Sequence, residues 1–404
     1  MVISMKVACI GNMNNNFFSL TRYLRDRGID ANLLLLNREA SHFHPSADAY
    51  DIDYQKYTSI LPWGNMFDFL KVTKEEINDS VKQYDFIIGC NSAPAFMHKI
   101  GRAVDIFVPF GWDIMYAPFF RFYKNPVNQI NYIFFKASQK AGIREARFIS
   151  LDAGNNEFEN IISKLRIKDN RIKMAVPFIY TPIYNPGNIS GYYDRSCYYK
   201  SFREIRKKYD FIVFHHARHL WKNVSDKILY KGNDKLVIGF ANFVKKVKGT
   251  NPCLIMFEYG RDVAETKKLV QELCIEEHVL WFPLVSRKEI MIGISLADIG
   301  AAEFGMDWMS YGTAYEILAM GKPLMCHRND ETYKDLYPEL YPMINASAPD
   351  EITNALTDYV HNREFYKKMG EDGRRWFQKY AVDYPMEKYL EIILEKNKGK
   401  DSSC

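Results

Sequence analysis

The sequence predicts an α/β protein built as two doubly wound halves followed by a helical tail. Three observations predict it: short apolar runs alternating with helical patterns, the recurrence of that rhythm twice in 404 residues, and a last stretch that is helical throughout. In the first half the runs are KVACIG (6–11), NLLLL (32–36), DFIIG (85–89), VDIFV (104–108), RFISL (147–151) and KMAV (173–176). They read as buried strands, the kind a parallel sheet covered by helices requires. Between the first two, residues 17–27 carry Leu20, Tyr23 and Leu24 at helical spacing and stop at Gly28. The rhythm lapses over 180–206, where Pro182, Pro186, Gly187 and Gly191 cluster, and this segment is the predicted inter-domain linker. A second series follows at 211–215, 253–258, 279–282, 297–301 and 322–326. Residues 233–248 add a helix with Leu236, Phe240, Phe243 and Val247 on one face. Residues 350–397 are predicted helical in several segments. The expected domains are 1–185, completed by about 381–400, and 205–380.

Composition narrows the function classes. Hydrophobic residues at 47% and charged residues at 25% argue against a mostly disordered chain. The formal charge is only +5, yet residues 118–147 hold six basic and one acidic side chain, and residues 199–235 hold ten and four. The remaining residues are therefore net acidic. A uniformly basic nucleic-acid coat is excluded, and two local anion-attracting patches take its place. No run reaches about 18 consecutive apolar residues, the length a spanning helix requires. The opening Met1-Val-Ile-Ser-Met-Lys6 leads into a strand-like run without the apolar core of a signal peptide. Seven scattered cysteines form no C-x-x-C pattern, which fits buried thiols in a reducing cytoplasm.

Ligands of doubly wound sheets bind at the carboxyl ends of the strands, so the turns there are the places to search. Gly11-Asn-Met-Asn-Asn-Asn16 follows the first strand; Gly11 and Asn12 could touch a ligand, or the asparagines could simply cap the next helix. It is not a dinucleotide fingerprint. Pro109-Phe-Gly-Trp-Asp113 occupies the equivalent edge after the fourth strand. Asp113 could orient adjacent sugar hydroxyls, or close an Asx turn.

In the second half, His215-His-Ala-Arg218 ends the first strand, and Lys231-Gly-Asn-Asp234 opens the next helix. An Arg and a Lys beside free helix N–H groups make a site for a diphosphate, against the plainer reading of a solvated basic loop. The two histidines do not make a metal site, because no third ligand stands at a sensible spacing. Tyr311-Gly-Thr-Ala-Tyr-Glu316 is the most informative segment. Gly312 permits close backbone approach, Thr313 starts a helix, and Glu316 could accept hydrogen bonds from a ribose diol. Thr313 and Glu316 also have the spacing of a capping box, with Glu316 as its third helical residue.

These residues, taken in order, resemble the GT-B-type glycosyltransferases of the large retaining group, the group-1 or family 4-like enzymes that use nucleotide sugars. Residues 298–323, with ADIG before the loop and EILAMGKP after Tyr315, resemble that family's nucleotide-binding loop and helix. Arg218 and Lys231-Gly232 resemble its diphosphate-holding pair, and 365–394 its terminal helices. The resemblance implies two Rossmann-like domains facing a cleft, with the last helix crossing back to the first domain. It implies an acceptor-binding first domain and a second domain that holds the donor. It also implies transfer with retention to a glycan, lipid-linked or polysaccharide acceptor of the cell envelope.

Departures from the family pattern are specific. The usual two Glu residues are separated by seven others, which would put the first at Trp308. Its role of contacting the donor sugar passes to Glu303 or Asp307 as candidates, and Tyr311 joins the donor-binding set. Phe110 stands where many members have His, so no catalytic His carries over. Mechanistically, Arg218 and Lys231 with the N–H groups of Gly312 and Thr313 would stabilise the leaving diphosphate, with Asp113 as a further catalytic candidate. Such a site is expected to need no metal and no cofactor.

Residues 116–140 mix Phe and Tyr with Arg121, Lys124, Lys136 and Lys140. They could lie on an anionic membrane surface and meet a lipid-linked acceptor, or form an ordinary amphipathic helix with its aromatics in the core. Three other classes stand beside the transferase. These are a nucleotide-sugar epimerase on the same fold, a non-catalytic accessory protein, and a solute-binding protein, which the missing secretion signal disfavours.

Overall fold

Strands that carry apolar side chains on both faces need helices on both faces, and the chain meets that need twice. The computed structural model describes residues 5–151, 156–167, 170–225, 229–307, 309, 312–335 and 337–401. It divides into one unit of Met1–Tyr180 with Ala381–Cys404 and a second of Thr181–Tyr380.

The first unit holds a seven-stranded parallel sheet: β1 (Lys6–Ile10), β2 (Asp30–Leu35), β3 (Thr58–Ile60), β4 (Phe86–Gly89), β5 (Ile106–Phe107), β6 (Phe148–Ser150) and β7 (Arg171–Ile172). Their order is β3-β2-β1-β4-β5-β6-β7, so the chain reverses direction across the sheet between β1 and β4. β3 was not expected, because Thr58-Ser59-Ile60 is too short and polar to stand out. The run 173–176 is not a strand; pairing with β6 is made two residues earlier, by Arg171 and Ile172. The last helix, Tyr384–Asp401, completes this unit, burying Met386, Tyr389 and Ile393. There Lys396 Nζ donates to the Asp85 carbonyl (3.0 Å).

The second unit has six parallel strands: β8 (Phe211–His215), β9 (Pro252–Phe257), β10 (Val279–Phe282), β11 (Ile299–Ala301), β12 (Leu324–Cys326) and β13 (Ile344–Asn345), in the order β10-β9-β8-β11-β12-β13. Its reversal lies between β8 and β11. The predicted linker is folded onto this unit. Ser196 Oγ and the Cys197 N–H both donate to the Glu289 carboxylate, Tyr193 OH pairs with Ser295 Oγ (3.2 Å), and a helix begins at Tyr199. Among the described residues no helix is long and apolar enough to cross a membrane.

Candidate active site

The strand order reverses between β8 and β11, the position where doubly wound sheets take ligands at the carboxyl ends of their strands, and the candidate residues of the second unit lie on the loops there. Strand geometry separates the two histidines, because successive side chains point to opposite faces. His215 is fully buried. Its Nδ1 faces the Ala301 carbonyl (2.9 Å) and its Nε2 faces Asn233 Nδ2 (2.9 Å), an arrangement satisfied by a ring that donates at Nδ1 and accepts at Nε2. Burial, with His219 nearby, pulls its pKa down to about 3 against the Ala301 bond, so the ring is a neutral bracket across β8, β11 and the helix Asn233–Lys246.

His216 turns the other way and meets Glu316, Nε2 to Oε2 at 2.7 Å. The other oxygen of Glu316 accepts from Arg287 Nε at 2.9 Å. Burial works against ionisation of Glu316, but His216 and Arg287 outweigh it and hold the carboxyl below its usual range. The expected capping box is not formed. The helix Gly312–Ala319 starts at Gly312, which makes Glu316 its fifth residue, and its carboxylate bonds to His216 and Arg287. Thr313 Oγ1 and His216 Nδ1 are both buried without a hydrogen-bond partner among the described residues.

Lys231 reaches Glu303, Nζ to Oε2 at 2.6 Å, with side-chain exposures of 14% and 10%. Burial pushes the Glu303 carboxyl up, opposed by Lys231, Arg218 and His216. Two interlocked loops hold the pair. Gly232 has φ +69°, and a Cβ there would come 2.8 Å from the backbone of Phe304; a Cβ on Gly305 would lie 1.9 Å from the Tyr230 carbonyl. The Phe304 N–H donates to the Lys231 carbonyl at 2.9 Å. Glu303 is thus the partner of Lys231, where the sequence had offered it for the donor sugar.

Arg218 is half-buried on the loop after β8 and has no ion pair among the described residues. Its loop is braced: the His219 N–H donates to the Tyr259 carbonyl (2.7 Å), and the N–H groups of Trp221 and Lys222 both donate to one oxygen of Asp262 (2.7 and 2.9 Å). Asp307 is half-buried on the loop after β11, Gly312 is exposed at its helix start, and Tyr311 and Trp308 lie outside the described residues.

The first-unit candidates Asn12 and Asp113 hydrogen-bond within their own unit. Gly11 (φ +90°) is required because a Cβ would stand 2.5 Å from Cys90 Sγ. Asn12 is fully buried, its side-chain oxygen accepting from the Phe18 N–H (2.9 Å) and its amide donating to Asn15 (2.9 Å). Asn14 and Asn15 both have left-handed backbone, which explains the asparagines without a ligand. Asp113 accepts from the N–H groups of Asn91 (3.0 Å) and Phe110 (2.9 Å) and is 3% exposed. It closes the turn, as the Asx alternative had it, and burial pushes it up to about 7 against those bonds.

Sequence reasoning missed Arg287 and the role of His216. Arg287 opens the helix Arg287–Leu296 just beyond β10, at the same sheet edge, which was the only available signal. Glu39 was missed too. It accepts the Asn12 N–H (2.8 Å) through Oε1, while Oε2 is buried without a partner among the described residues. Burial raises its pKa to about 7. Nothing in the sequence around it marks it.

No protein-family model matches the chain, and no curated protein matches it in sequence. Solved structures do. The Anabaena protein HepE in complex with UDP superposes with a TM-score of 0.62 at 13% identity, over 97% of this chain and 100% of that one. The chain has the GT-B fold. A glycosyltransferase from Rickettsia africae matches at TM-score 0.62 and 14% identity, over 98% of this chain and 99% of that one. A Listeria monocytogenes protein assigned as a UDP-N-acetylglucosamine 2-epimerase matches at 0.56 and 12%, over 96% and 95%. At such identities the likeness is one of fold, which transferase and epimerase share.

Proposed function

We propose that the protein is a glycosyltransferase that moves a sugar from a nucleotide-sugar donor to a glycan, lipid-linked or polysaccharide acceptor, with retention of configuration. The observation that carries the reading is the charge arrangement on the loops at the β8–β11 reversal. Lys231 is paired with Glu303, and Glu316 with Arg287 and His216, while Arg218 has no ion pair among the described residues. The loop after the neighbouring strand β11 leads to the helix Gly312–Ala319, where the buried Thr313 hydroxyl has no hydrogen-bond partner among the described residues. An unpaired buried polar group costs about 1–3 kcal/mol, and a ligand rich in oxygen acceptors would relieve it.

Breaking the bond between sugar and diphosphate leaves negative charge on the departing phosphate. Arg218 and Lys231 with the helix N–H groups would stabilise that charge as it develops, a task that asks for no metal. Glu316 keeps free lone pairs on both oxygens and would accept a ribose diol while Arg287 and His216 hold it in place. Glu303 and Glu316 are both ion-paired, so neither of these two is free to exchange a proton with a sugar carbon, which favours transfer over epimerisation.

The test is a binding and hydrolysis screen of the full chain against UDP-, GDP-, ADP- and CMP-sugars, with and without chelator. One nucleotide sugar is expected to stabilise the protein and to be hydrolysed slowly, chelator or not. Arg218→Ala is expected to lower that rate about 10²–10³-fold with unchanged thermal stability. Stabilisation by none of the four classes would overturn the reading, and isomerised donor without acceptor would replace it with the epimerase.

A further inference from the structure

The helix Pro126–Glu145 in the first unit is apolar on two opposite faces. One face buries Tyr132, Phe135 and Ile143 in the core. The other carries Val127, Ile130, Ile133 and Phe134 at 44–55% exposure, in an i, i+3, i+6, i+7 stripe. A helix that is apolar around most of its circumference is normally covered on all sides, and this stripe is not. The segment before it adds Phe120 and Phe122 at 70% and 71% exposure.

These aromatics do not hang from a loose loop. Tyr132 OH donates to the Phe119 carbonyl (2.6 Å), and the Tyr123 N–H donates to Gln129 Oε1 (2.6 Å). Lys136 Nζ sits 5.5 Å from the centre of the Phe120 ring. The segment is therefore fastened along the helix from both sides, and its rings are held outward next to the exposed stripe. Beside them a cavity of about 510 Å³ is lined by Tyr116, Phe119, Phe120, Ile161, Arg121 and Lys164, with apolar walls and two basic heads.

We propose that this face is a docking surface for an anionic lipid bilayer. Phe120, Phe122 and the Ile130–Phe134 stripe enter the headgroup boundary, and Arg121, Lys124, Lys136 and Lys140 meet the lipid phosphates. Charge selects this occupant. The surrounding residues 118–147 hold six basic side chains against one acidic, so a two-fold contact with a second copy would set like charges face to face. Exposed aromatic rings with lysines and arginines among them suit an interface that is apolar on one side and negatively charged on the other. The surface is independent of the donor site, so each proposal can fail without the other.

Flotation of the full chain would be measured with vesicles of phosphatidylcholine alone and of phosphatidylcholine with phosphatidylglycerol in equal parts. Binding only to the anionic vesicles, weakened by salt, is expected. Each of K124Q and K136Q is expected to weaken partitioning about fivefold, the factor equal to about 1 kcal/mol per basic side chain near an anionic surface. F120S/F122S changes two exposed side chains and is expected to abolish binding while circular dichroism and melting temperature stay those of the parent. Absence of binding to anionic vesicles, or binding that F120S/F122S leaves intact, would overturn the proposal. A concentration-dependent dimer in light scattering that F120S/F122S dissolves, with no vesicle binding, would assign the face to self-association instead.

Discussion

Lys231 and Glu303 sit 2.6 Å apart where water hardly reaches either side chain, so neither can be removed without leaving the other stranded. Truncating one member of such a pair typically costs about 3–5 kcal/mol, while replacing both with apolar groups of similar size is often neutral. Lys231→Ala is therefore expected to destabilise the protein by about 3 kcal/mol in urea unfolding, near the low end because Glu303 is already inclined to protonate. The loss should shrink at acid pH, and Lys231→Met with Glu303→Leu should recover most of it; a loss independent of pH would contradict this account. Arg218 has no ion pair among the described residues, so its removal strands no carboxylate in the way that removal of Lys231 would. Glu39 offers a second residue-scale test. Its carboxyl, near 4.5 when unfolded and raised to about 7 by burial when folded, binds its proton more tightly in the native state. Its contribution is thus fully present below about pH 4.5 and is lost as pH rises through about 7. In Glu39→Gln the fall of unfolding free energy between about pH 5 and 8 should be shallower by about 1–3 kcal/mol. An unchanged slope would show that Glu39 does not titrate there.

At the scale of elements, the second-unit site depends on two loops that interlock without room for a Cβ. Gly232 is left-handed at φ +69° and lies against the Phe304 backbone. Gly232→Ala combines backbone strain of about 1–2 kcal/mol with overpacking of about 1–3 kcal/mol, so a loss of about 2–5 kcal/mol is expected in denaturant unfolding. Donor binding should weaken with it, since Lys231 precedes that glycine. A stable variant with weak binding would instead show that the loops position the lysine without holding the fold. The same scale explains the asparagine turn after β1. Asn14 and Asn15 adopt a conformation that asparagine tolerates, and Asn12 caps the following helix from within, so a polar run at a ligand edge became scaffold.

For the whole molecule, much of the fold was legible: two series of buried strands, the helices between them and the helical end. Such elements write a local period into the chain, two for strands and 3.6 for helices, and a window of ten residues reveals it. β3 and β13 were not legible, because Thr58-Ser59-Ile60 and Ile344-Asn345 are short and partly polar and lie in no apolar run that stands out. The predicted linker begins where the two units divide, after Tyr180, and runs on into the second unit. Its prolines and glycines do mark irregular backbone, but Glu289, about ninety residues away, fastens that backbone onto the second unit. The sequence by itself determined which loops reach the carboxyl edge of each sheet, and so brought Arg218, Lys231 and Glu316 forward as candidates. Only the tertiary structure decided their partners. Lys231 and Glu303 are 72 residues apart, and His216 and Glu316 are 100 apart. Only the tertiary structure, too, turned Asn12 and Asp113 inward and left Phe120 and Phe122 outside. The physical reason is one of range. Backbone periodicity is set by near neighbours, whereas pairing and burial are set by whichever distant segment the fold packs against a side chain.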